Sequence, residues 1–85
     1  MPFVVPRYES MQYNGTNGQD IVDWLNGSAD LASDDGTQLV LLYCGSPRAV
    51  AVGNWVVAGG SGAYRGFHAE MTNELYQALW REIPA

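Results

Sequence analysis

The sequence predicts an α+β domain, in which a twisted antiparallel sheet of about four to five strands packs against two amphipathic helices. Two observations support this fold class. Four short runs rich in aliphatic and aromatic residues, between positions 37 and 68, are separated by glycine-containing turns, as in an antiparallel meander. One amphipathic helical pattern precedes these runs and another follows them. The expected order of elements is therefore β-α-β-β-β-β-α.

The first strand is predicted over residues 3–13, which are rich in valine, tyrosine and phenylalanine. Pro2 and Pro6 have no N–H group to donate to a neighbouring strand, so this strand is expected to begin irregularly or to lie at a sheet edge. Asn14-Gly15 supplies the turn that follows it.

The first helix is predicted from a start signal, an apolar stripe and a stop signal. Thr16 and Gln19 have the spacing of a capping box, in which each side chain satisfies a backbone N–H group of the other residue. Asn26-Gly27 is typical of a helix end, because glycine readily adopts the left-handed conformation there. The apolar positions at helical spacing are Ile21, Trp24 and Leu25.

The middle of the chain predicts a loop followed by the meander. Residues 28–36 combine turn formers and acids around Leu31, so we predict a mobile loop there. Residues 37–44 are apolar on both faces, which is typical of a central strand. The remaining strands are predicted at residues 48–52, 55–58 and 63–68, and the last two form a hairpin.

The closing helix is expected to begin after Thr72, a good N-cap residue, and to be stopped by Pro84. We expect both helices to pack on one face or at one end of the sheet. The apolar stripe of the closing helix consists of Leu75, Tyr76, Leu79, Trp80 and Ile83.

Length and composition indicate one domain over residues 1–85. Of the 85 residues, 47% are hydrophobic and 15% are charged, which permits one core and argues against disorder. A single cysteine cannot form an intramolecular disulfide, and no apolar run approaches the roughly 20 residues that cross a bilayer. No secretory signal is visible at the start of the chain. We therefore expect a cytoplasmic protein with no membrane association.

The side chains give no indication of catalysis, a metal or a cofactor. Cys44 ends an apolar strand away from any cation, which favours a buried structural thiol, and His68 is expected at a strand end. The chain has no lysine for a phosphate-binding loop, and its glycines miss the dinucleotide-binding spacing. The acids before Gly36 lack the aspartate that a calcium loop needs at its first position. We predict a protein that is not an enzyme and needs no cofactor.

The charge distribution argues against one class of partner and indicates an interaction surface. Nine acidic residues against four arginines give a net charge of −5, which argues against nucleic-acid binding. Five aspartates between Arg7 and Arg48 have no cation among them and make one side of the molecule acidic. With two hairpin residues, they form the predicted surface: Asp20, Asp23, Asp30, Asp34, Asp35, Tyr64 and Arg65.

Two stretches carry a resemblance to a family of small actinobacteriophage proteins of the mycobacteriophage type. Residues 53–64, GNWVVAGGSGAY, resemble the pattern Gly-Asp-Trp-Ile-Val-x-Gly-x-x-Gly-Glu-Phe. Residues 11–17, MQYNGTN, are similar to the pattern Val-Gln-Tyr-Asp-Gly-Thr-Asn of the same family. Asn54 and Ala63 replace acids of the first pattern. The resemblance implies a phage-encoded protein in the host cell cytoplasm and assigns a chemical role to none of its residues.

Two functional hypotheses follow from the resemblance. In the first, the protein binds a host bacterial protein and alters host physiology, through the acidic side or through an exposed apolar patch. In the second, it is a minor virion or assembly component. The two edges of a small sheet, together with more large aromatic side chains than one thin core can enclose, also predict a homodimer.

Overall fold

Two helices and two three-stranded antiparallel sheets form the fold in the computed structural model, which describes residues 2–83. The strands are β1 (Tyr8–Gln12), β2 (Asp30–Asp34), β3 (Gln38–Tyr43), β4 (Ser46–Ala51), β5 (Trp55–Gly59) and β6 (Gly66–Met71). The helices are α1 (Gly18–Trp24) and α2 (Asn73–Leu79), and one 3-10 turn spans Gly62–Tyr64. The first sheet has the strand order β1-β5-β6, and the second sheet has the order β2-β3-β4.

The α+β class is confirmed, but the single meander is wrong. The chain leaves the second sheet at Gly53, whose φ of +91° turns the backbone away from β4. The Gly53 N–H donates to the Tyr13 carbonyl over 2.8 Å, and the Tyr13 N–H donates to the Asn54 carbonyl over 2.9 Å. These bonds bring β5 beside β1, so β5 pairs with β1 and β6 instead of β4. As predicted, β3 is the central strand of its sheet and β1 is an edge strand.

The predicted loop over residues 28–36 is wrong, because this segment contains strand β2. The strand pairs with β3 in antiparallel register, with Leu31 opposite Leu41 and a bulge between Leu31 and Ser33. All five residues of β2 are exposed. A strand that takes its hydrogen bonds from a neighbour and buries no side chain shows none of the apolar alternation that identifies strands. Its composition therefore indicates a loop.

The predicted capping box at the start of α1 is also wrong. The Thr16 hydroxyl donates to the side-chain oxygen of Asn14 over 2.8 Å, so it is directed away from the helix. The N-cap residue is Asn17, whose side-chain oxygen accepts from the Asn14 N–H over 2.9 Å. These local hydrogen bonds already engage the Thr16 hydroxyl and the Asn17 side-chain oxygen before the helix begins. Short-range turns of this kind compete with helix caps.

The core lies between α1 and the two sheets. Helix α1 contributes Ile21, and β3 contributes Leu39 and Leu41. Strand β5 contributes Val56 and Ala58 from one of its faces. The other buried members of the cluster are Tyr13, Leu25, Ala29, Val50 and Phe67. One cluster thus joins both sheets to α1.

Strand β5 is buried on both faces and separates this core from α2. Since side chains alternate along a strand, Val57 points away from the core that holds Val56 and Ala58. On that second face, Val57 lines a groove together with Tyr76 of α2. The two helices therefore lie on opposite faces of the first sheet, not on the same face as expected.

A partly buried hydrogen bond links the end of β1 to the second sheet. Tyr13 is fully buried, and its hydroxyl donates to the Asp34 carboxylate. Asp34 also accepts from the Gly36 N–H over 3.1 Å. Burial raises the pKa of Tyr13 to about 12, and the neighbouring carboxylate of Asp34 adds to this effect.

Replacing Tyr13 by phenylalanine is expected to reduce the loss of stability at alkaline pH. The folded pKa of about 12 exceeds the ordinary value of 10.0, so the protonated phenol stabilises the fold fully below about pH 10. This contribution is lost as the pH rises from about 10 through about 12. Urea unfolding at pH 8 and pH 11 should show a smaller decrease for Tyr13→Phe than for the wild type. The control Tyr64→Phe, at an exposed tyrosine, should behave as the wild type. A full alkaline decrease in Tyr13→Phe would contradict the prediction.

Candidate functional site

A groove of about 340 Å³ lies between the first sheet, α2 and the segment that follows α2. Its aromatic and apolar walls are formed by Tyr8, Trp55, Val57, Tyr76, Trp80 and Ile83. Its polar lining consists of Glu9, Ser10, Arg81 and Glu82. We call this concavity the aromatic groove.

Strand pairing places the floor of the aromatic groove on one face of the first sheet. Ser10 of β1 lies opposite Val57 of β5, and Tyr8 lies opposite Gly59. Residues two apart along a strand share a face, so Tyr8, Ser10 and Val57 line the same side. The opposite side of these strands faces the core.

Helix α2 forms the other wall. As predicted, Thr72 caps it, and its hydroxyl accepts from the Leu75 N–H over 3.2 Å. The helix ends at Leu79, earlier than expected, because Trp80 adopts an extended conformation with ψ of 139°. The ring of Trp80 then packs edge-on against Tyr8, with centroids 4.9 Å apart. The predicted stop at Pro84 lies outside the described residues.

Aromatic contacts hold the walls together. Trp55 and Tyr76 stack with ring centroids 3.9 Å apart and planes 6° apart. The Trp55 indole N–H also donates to the Asn73 side chain over 2.8 Å, which ties β5 to the first residue of α2. His68 packs against Tyr8 at 4.9 Å, outside the groove lining. Each aromatic pair contributes about 0.5–1.5 kcal/mol beyond burial of its area.

A short chain of hydrogen bonds crosses the polar side of the aromatic groove. The Ser10 and Tyr76 hydroxyls are 2.7 Å apart, and the Tyr76 hydroxyl donates to Glu82 over 3.1 Å. Burial raises the pKa of Tyr76, the carboxylate of Glu82 adds to this, and the bond with Ser10 opposes it. The phenol therefore keeps its proton at neutral pH, and these three side chains satisfy one another.

The indole of Trp80 is different. Its Nε1 atom is buried, and it has no acceptor within the part of the chain that the structure describes. A buried donor without an acceptor costs about 1–3 kcal/mol.

Exposed apolar side chains lie on α2 and on the segment that follows it. The predicted stripe of the closing helix buries Tyr76, but Leu79 is 64% exposed and Ile83 is 81% exposed. Leu75, one turn before Leu79, is 46% exposed. We call Leu75, Leu79 and Ile83 the apolar rim, and Ile83 also lines the aromatic groove. Exposed apolar side chains mark interaction sites in soluble proteins when they form a patch.

Two of the aspartates predicted as an interaction surface stabilise local structure instead. Asp34 holds the Tyr13 hydroxyl. Asp35 accepts from the Thr37 N–H over 2.9 Å and from the Gln38 N–H over 2.7 Å. The backbone hydrogen bond from Thr37, followed by those from its hydroxyl and from Gln38, lowers the pKa of Asp35. These bonds fix the turn between β2 and β3.

The other three aspartates, Asp20, Asp23 and Asp30, are exposed. Among residues 2–83, ion pairs to side chains involve Glu9 and Glu70, and none involves an aspartate. Asp34 and Asp35 are exposed as well, so all five aspartates carry charges that no arginine within this range neutralises.

The two hairpin residues of the predicted surface differ in their environment. Tyr64 is exposed at the turn. Arg65 donates to Glu9 over 2.6 Å and to the Trp24 carbonyl over 3.1 Å, and its guanidinium lies 5.2 Å from the centre of the Trp24 ring. Arg65 thus joins the hairpin to β1 and α1.

Cys44 is exposed, so the expectation of a buried thiol is wrong. Its φ is +52°, and that of Gly45 is +78°, in the two-residue turn between β3 and β4. Positive φ at both central positions is the geometry that fits the twist of paired strands. This turn places Cys44 outside the strand that was expected to bury it.

Sequence reasoning missed the aromatic groove, although it singled out several of its residues as core. The predicted stripe of the closing helix includes Tyr76, Trp80 and Ile83, and the first predicted strand includes Tyr8. The available signal is the polar residue Ser10, two positions after Tyr8, on the face that α2 covers.

Within residues 2–83, no group of three or more His, Cys, Asp or Glu side chains is arranged to hold a metal ion. Neither α1 nor α2 has the length and apolar character required to cross a bilayer. Comparison with protein-family models, with curated proteins and with solved structures finds no match to this chain.

Proposed function

We propose that this protein is a non-enzymatic binding protein that holds a segment of another protein in the aromatic groove. The observation that carries this proposal is the aromatic groove itself, whose lining includes the 81% exposed side chain of Ile83. Taken with the phage resemblance, it supports a host bacterial protein as the partner and the host cytoplasm as the place of action.

The shape and chemistry of the aromatic groove suit an extended peptide segment. Aromatic walls accommodate the apolar or proline side chains of an extended segment. The stacked pair of Trp55 and Tyr76 fixes one wall before binding. A preformed wall reduces the entropy that binding costs.

The polar side chains of the aromatic groove favour binding over catalysis. The Ser10 hydroxyl is hydrogen-bonded to the Tyr76 phenol, whereas a catalytic serine requires a general base as its neighbour. Because the pKa of Tyr76 is raised, this phenol stays protonated at neutral pH and cannot accept the serine proton. The Glu82 carboxylate accepts a hydrogen bond from the same phenol.

Acidic substitutions on the apolar rim are expected to weaken capture of the partner strongly. The double variant Leu79→Asp/Ile83→Asp changes exposed side chains, so the fold should persist while binding to an apolar segment falls at least about ten-fold. The immobilised protein is incubated with a mycobacterial lysate, and retained proteins are identified and quantified by mass spectrometry. Val52→Asp is the matched control, because Val52 is exposed and lies outside the aromatic groove.

Retention of the same proteins by the double variant would exclude the aromatic groove as the site. Binding through Asp20, Asp23 and Asp30 would instead weaken steeply with added salt and would persist in the double variant. The lysate experiment is therefore performed at low and at high ionic strength.

A second candidate function is that of a minor virion or assembly component. It is favoured by the exposed apolar residues Phe3, Val4 and Val5, which indicate contact with another protein copy. Mass spectrometry of purified particles separates the two functions. A virion component is present in the particles, whereas a protein that modulates the host is found in the infected cell alone.

A further inference from the structure

The N-terminal residues form an exposed arm. Residues 2–7 have no regular secondary structure and precede β1 directly. Phe3 is 102% exposed, Val4 is 87% exposed and Val5 is 88% exposed. We call residues 2–7 the N-terminal arm. Three adjacent apolar side chains in full contact with water are unfavourable unless another surface covers them.

The N-terminal arm is partly preorganised. Pro2 and Pro6 bracket its apolar residues, and proline fixes φ near −65° and favours an extended conformation in the residue before it. Six extended residues span about 20 Å. The backbone carbonyls of such a segment remain available to donors on another surface.

The root of the N-terminal arm is fixed, and its apolar residues are not bound by their own chain. The Arg7 carbonyl accepts from the Gly60 N–H over 2.9 Å, and the Arg7 guanidinium pairs with Glu9 at 3.0 Å. Tyr8, the next residue, is already a wall of the groove. Phe3, Val4 and Val5 are exposed, and none of them lines this groove.

We propose that the N-terminal arm of one copy lies in the aromatic groove of a second copy, and that the reciprocal exchange produces a two-fold homodimer. The inference rests on the proposed function of the aromatic groove as a site for extended segments. Phe3, Val4 and Val5 of the arm supply the apolar contacts that the exposed side chains of the apolar rim lack within their own copy. Pro2 and Pro6 of the arm pack on the aromatic walls, as proline rings do in other aromatic-lined grooves.

The surface that such an exchange buries is sufficient for a stable dimer. One phenylalanine buries roughly 150–250 Å². Counting both arms and both grooves, the interface buries on the order of 1,200 Å², the lower bound of standard-size protein interfaces. A closed two-fold pair also covers every copy of both apolar surfaces, whereas an open chain of copies leaves one arm exposed at its end.

Sedimentation equilibrium across the micromolar range tests the proposal on the full chain. The wild type is expected to sediment at twice its 9.3 kDa chain mass. Deletion of residues 2–6 and the substitution Phe3→Asp are each expected to give the monomer mass. Tyr64→Asp, at an exposed aromatic residue outside the arm and the groove, is the matched control and should remain dimeric. A wild-type monomer, or a dimer that survives deletion of the arm, would overturn the proposal.

A synthetic peptide with the sequence of residues 2–7 then tests the occupant. Added to the arm-deleted protein, it is expected to change tryptophan fluorescence and to saturate at one peptide per chain. Trp80→Ala removes an aromatic wall of the groove, so the peptide should bind at least about ten-fold more weakly. A peptide that fails to bind, or that binds Trp80→Ala with the same affinity, counts against the arm as the occupant.

The two proposals fail in different ways. If the arm-deleted protein stays dimeric while the apolar-rim double variant no longer captures a host protein, the arm exchange is wrong and the proposed function stands. If the arm-deleted protein is a monomer that binds the peptide while the double variant captures host proteins as the wild type does, the dimer stands and the host-binding role of the groove is wrong.

Discussion

Replacing Gly60 by alanine is expected to destabilise the protein by about 3 kcal/mol or more. Gly60 has a φ of +79°, in the region that side chains other than glycine rarely adopt. A Cβ atom at this position would lie 2.5 Å from the Tyr64 carbonyl oxygen and 3.1 Å from its carbon. Both contacts are with backbone, which cannot move aside without opening the hairpin between β5 and β6.

Gly62→Ala is the matched control for this effect. Gly62 lies in the same turn and has a φ of +58°, but a Cβ atom there would meet no atom within 4 Å. Its replacement should therefore cost only the conformational penalty of about 1–2 kcal/mol. Urea unfolding of both variants measures the difference. Equal losses would show that the contact with Tyr64 has no role and that backbone conformation alone determines the effect.

Replacing Arg65 by alanine is expected to cost about 2 kcal/mol or more, because the half-buried carboxylate of Glu9 loses its closest partner. The Arg65 side chain is 17% exposed, and it also donates to the Trp24 carbonyl. The variant thus removes a charge-assisted bond, a bond to α1 and the contact with the Trp24 ring. Breaking a fully buried pair costs more, and partial exposure reduces the value here.

Arg7→Ala is the control, since Arg7 pairs with the same carboxylate from solvent. Its side chain is 71% exposed, and we expect its removal to cost less than about 0.5 kcal/mol. Thermal unfolding at neutral pH measures both variants. A loss in Arg7→Ala as large as that in Arg65→Ala would contradict the assignment of Arg65 as the structural partner of Glu9.

The same pair predicts an effect of acid. Burial of Glu9 opposes its ionisation, but the bonds from Arg65 and Arg7 outweigh this and lower its pKa below the ordinary value of 4.5. The ionised form therefore stabilises the fold above about pH 4.5, and this contribution is lost as the pH falls below that value. Arg65→Ala should reduce this acid-side loss, which repeating the unfolding measurement at pH 3 will show.

Local signals in the sequence predicted the elements that depend on near neighbours. The cap at Thr72 requires a single hydroxyl and the helix that follows it. Strand β3 is apolar on both faces because it is central, and this pattern is visible without knowledge of its partners. Strand β2 depends on β3 for its hydrogen bonds and buries nothing, so its own residues indicate a loop.

The division into two sheets was beyond sequence reasoning, because it depends on which strands meet and not on where strands occur. The bend at Gly53 resembles any glycine turn of a meander. The bonds between Tyr13 and Gly53-Asn54, which redirect β5 toward β1, join residues far apart in the chain. A pairing between distant segments leaves no local pattern in either of them.

The candidate site shows the same limit. The role of Asp35 was open to prediction, since an aspartate two residues before Thr37 is typical of a turn closed by its side chain. The aromatic groove was not, because it forms where α2 ends at Leu79 and Trp80 packs on Tyr8. Helical spacing alone extends α2 to Ile83 and assigns the whole stripe to one helix face.

The pairing of β1 with β5 has a consequence for the order in which the chain assembles. The second sheet is built from consecutive hairpins, so each of its strands finds its partner within a short stretch of chain. The first sheet instead joins Tyr8 to Gly59 and thereby closes a loop that contains α1 and the whole second sheet. Closing long loops is entropically costly and slow. During synthesis, β1 has no partner strand until β5 has emerged from the ribosome. Because β1 and β5 form the floor of the aromatic groove, the groove is one of the last features of the molecule to form.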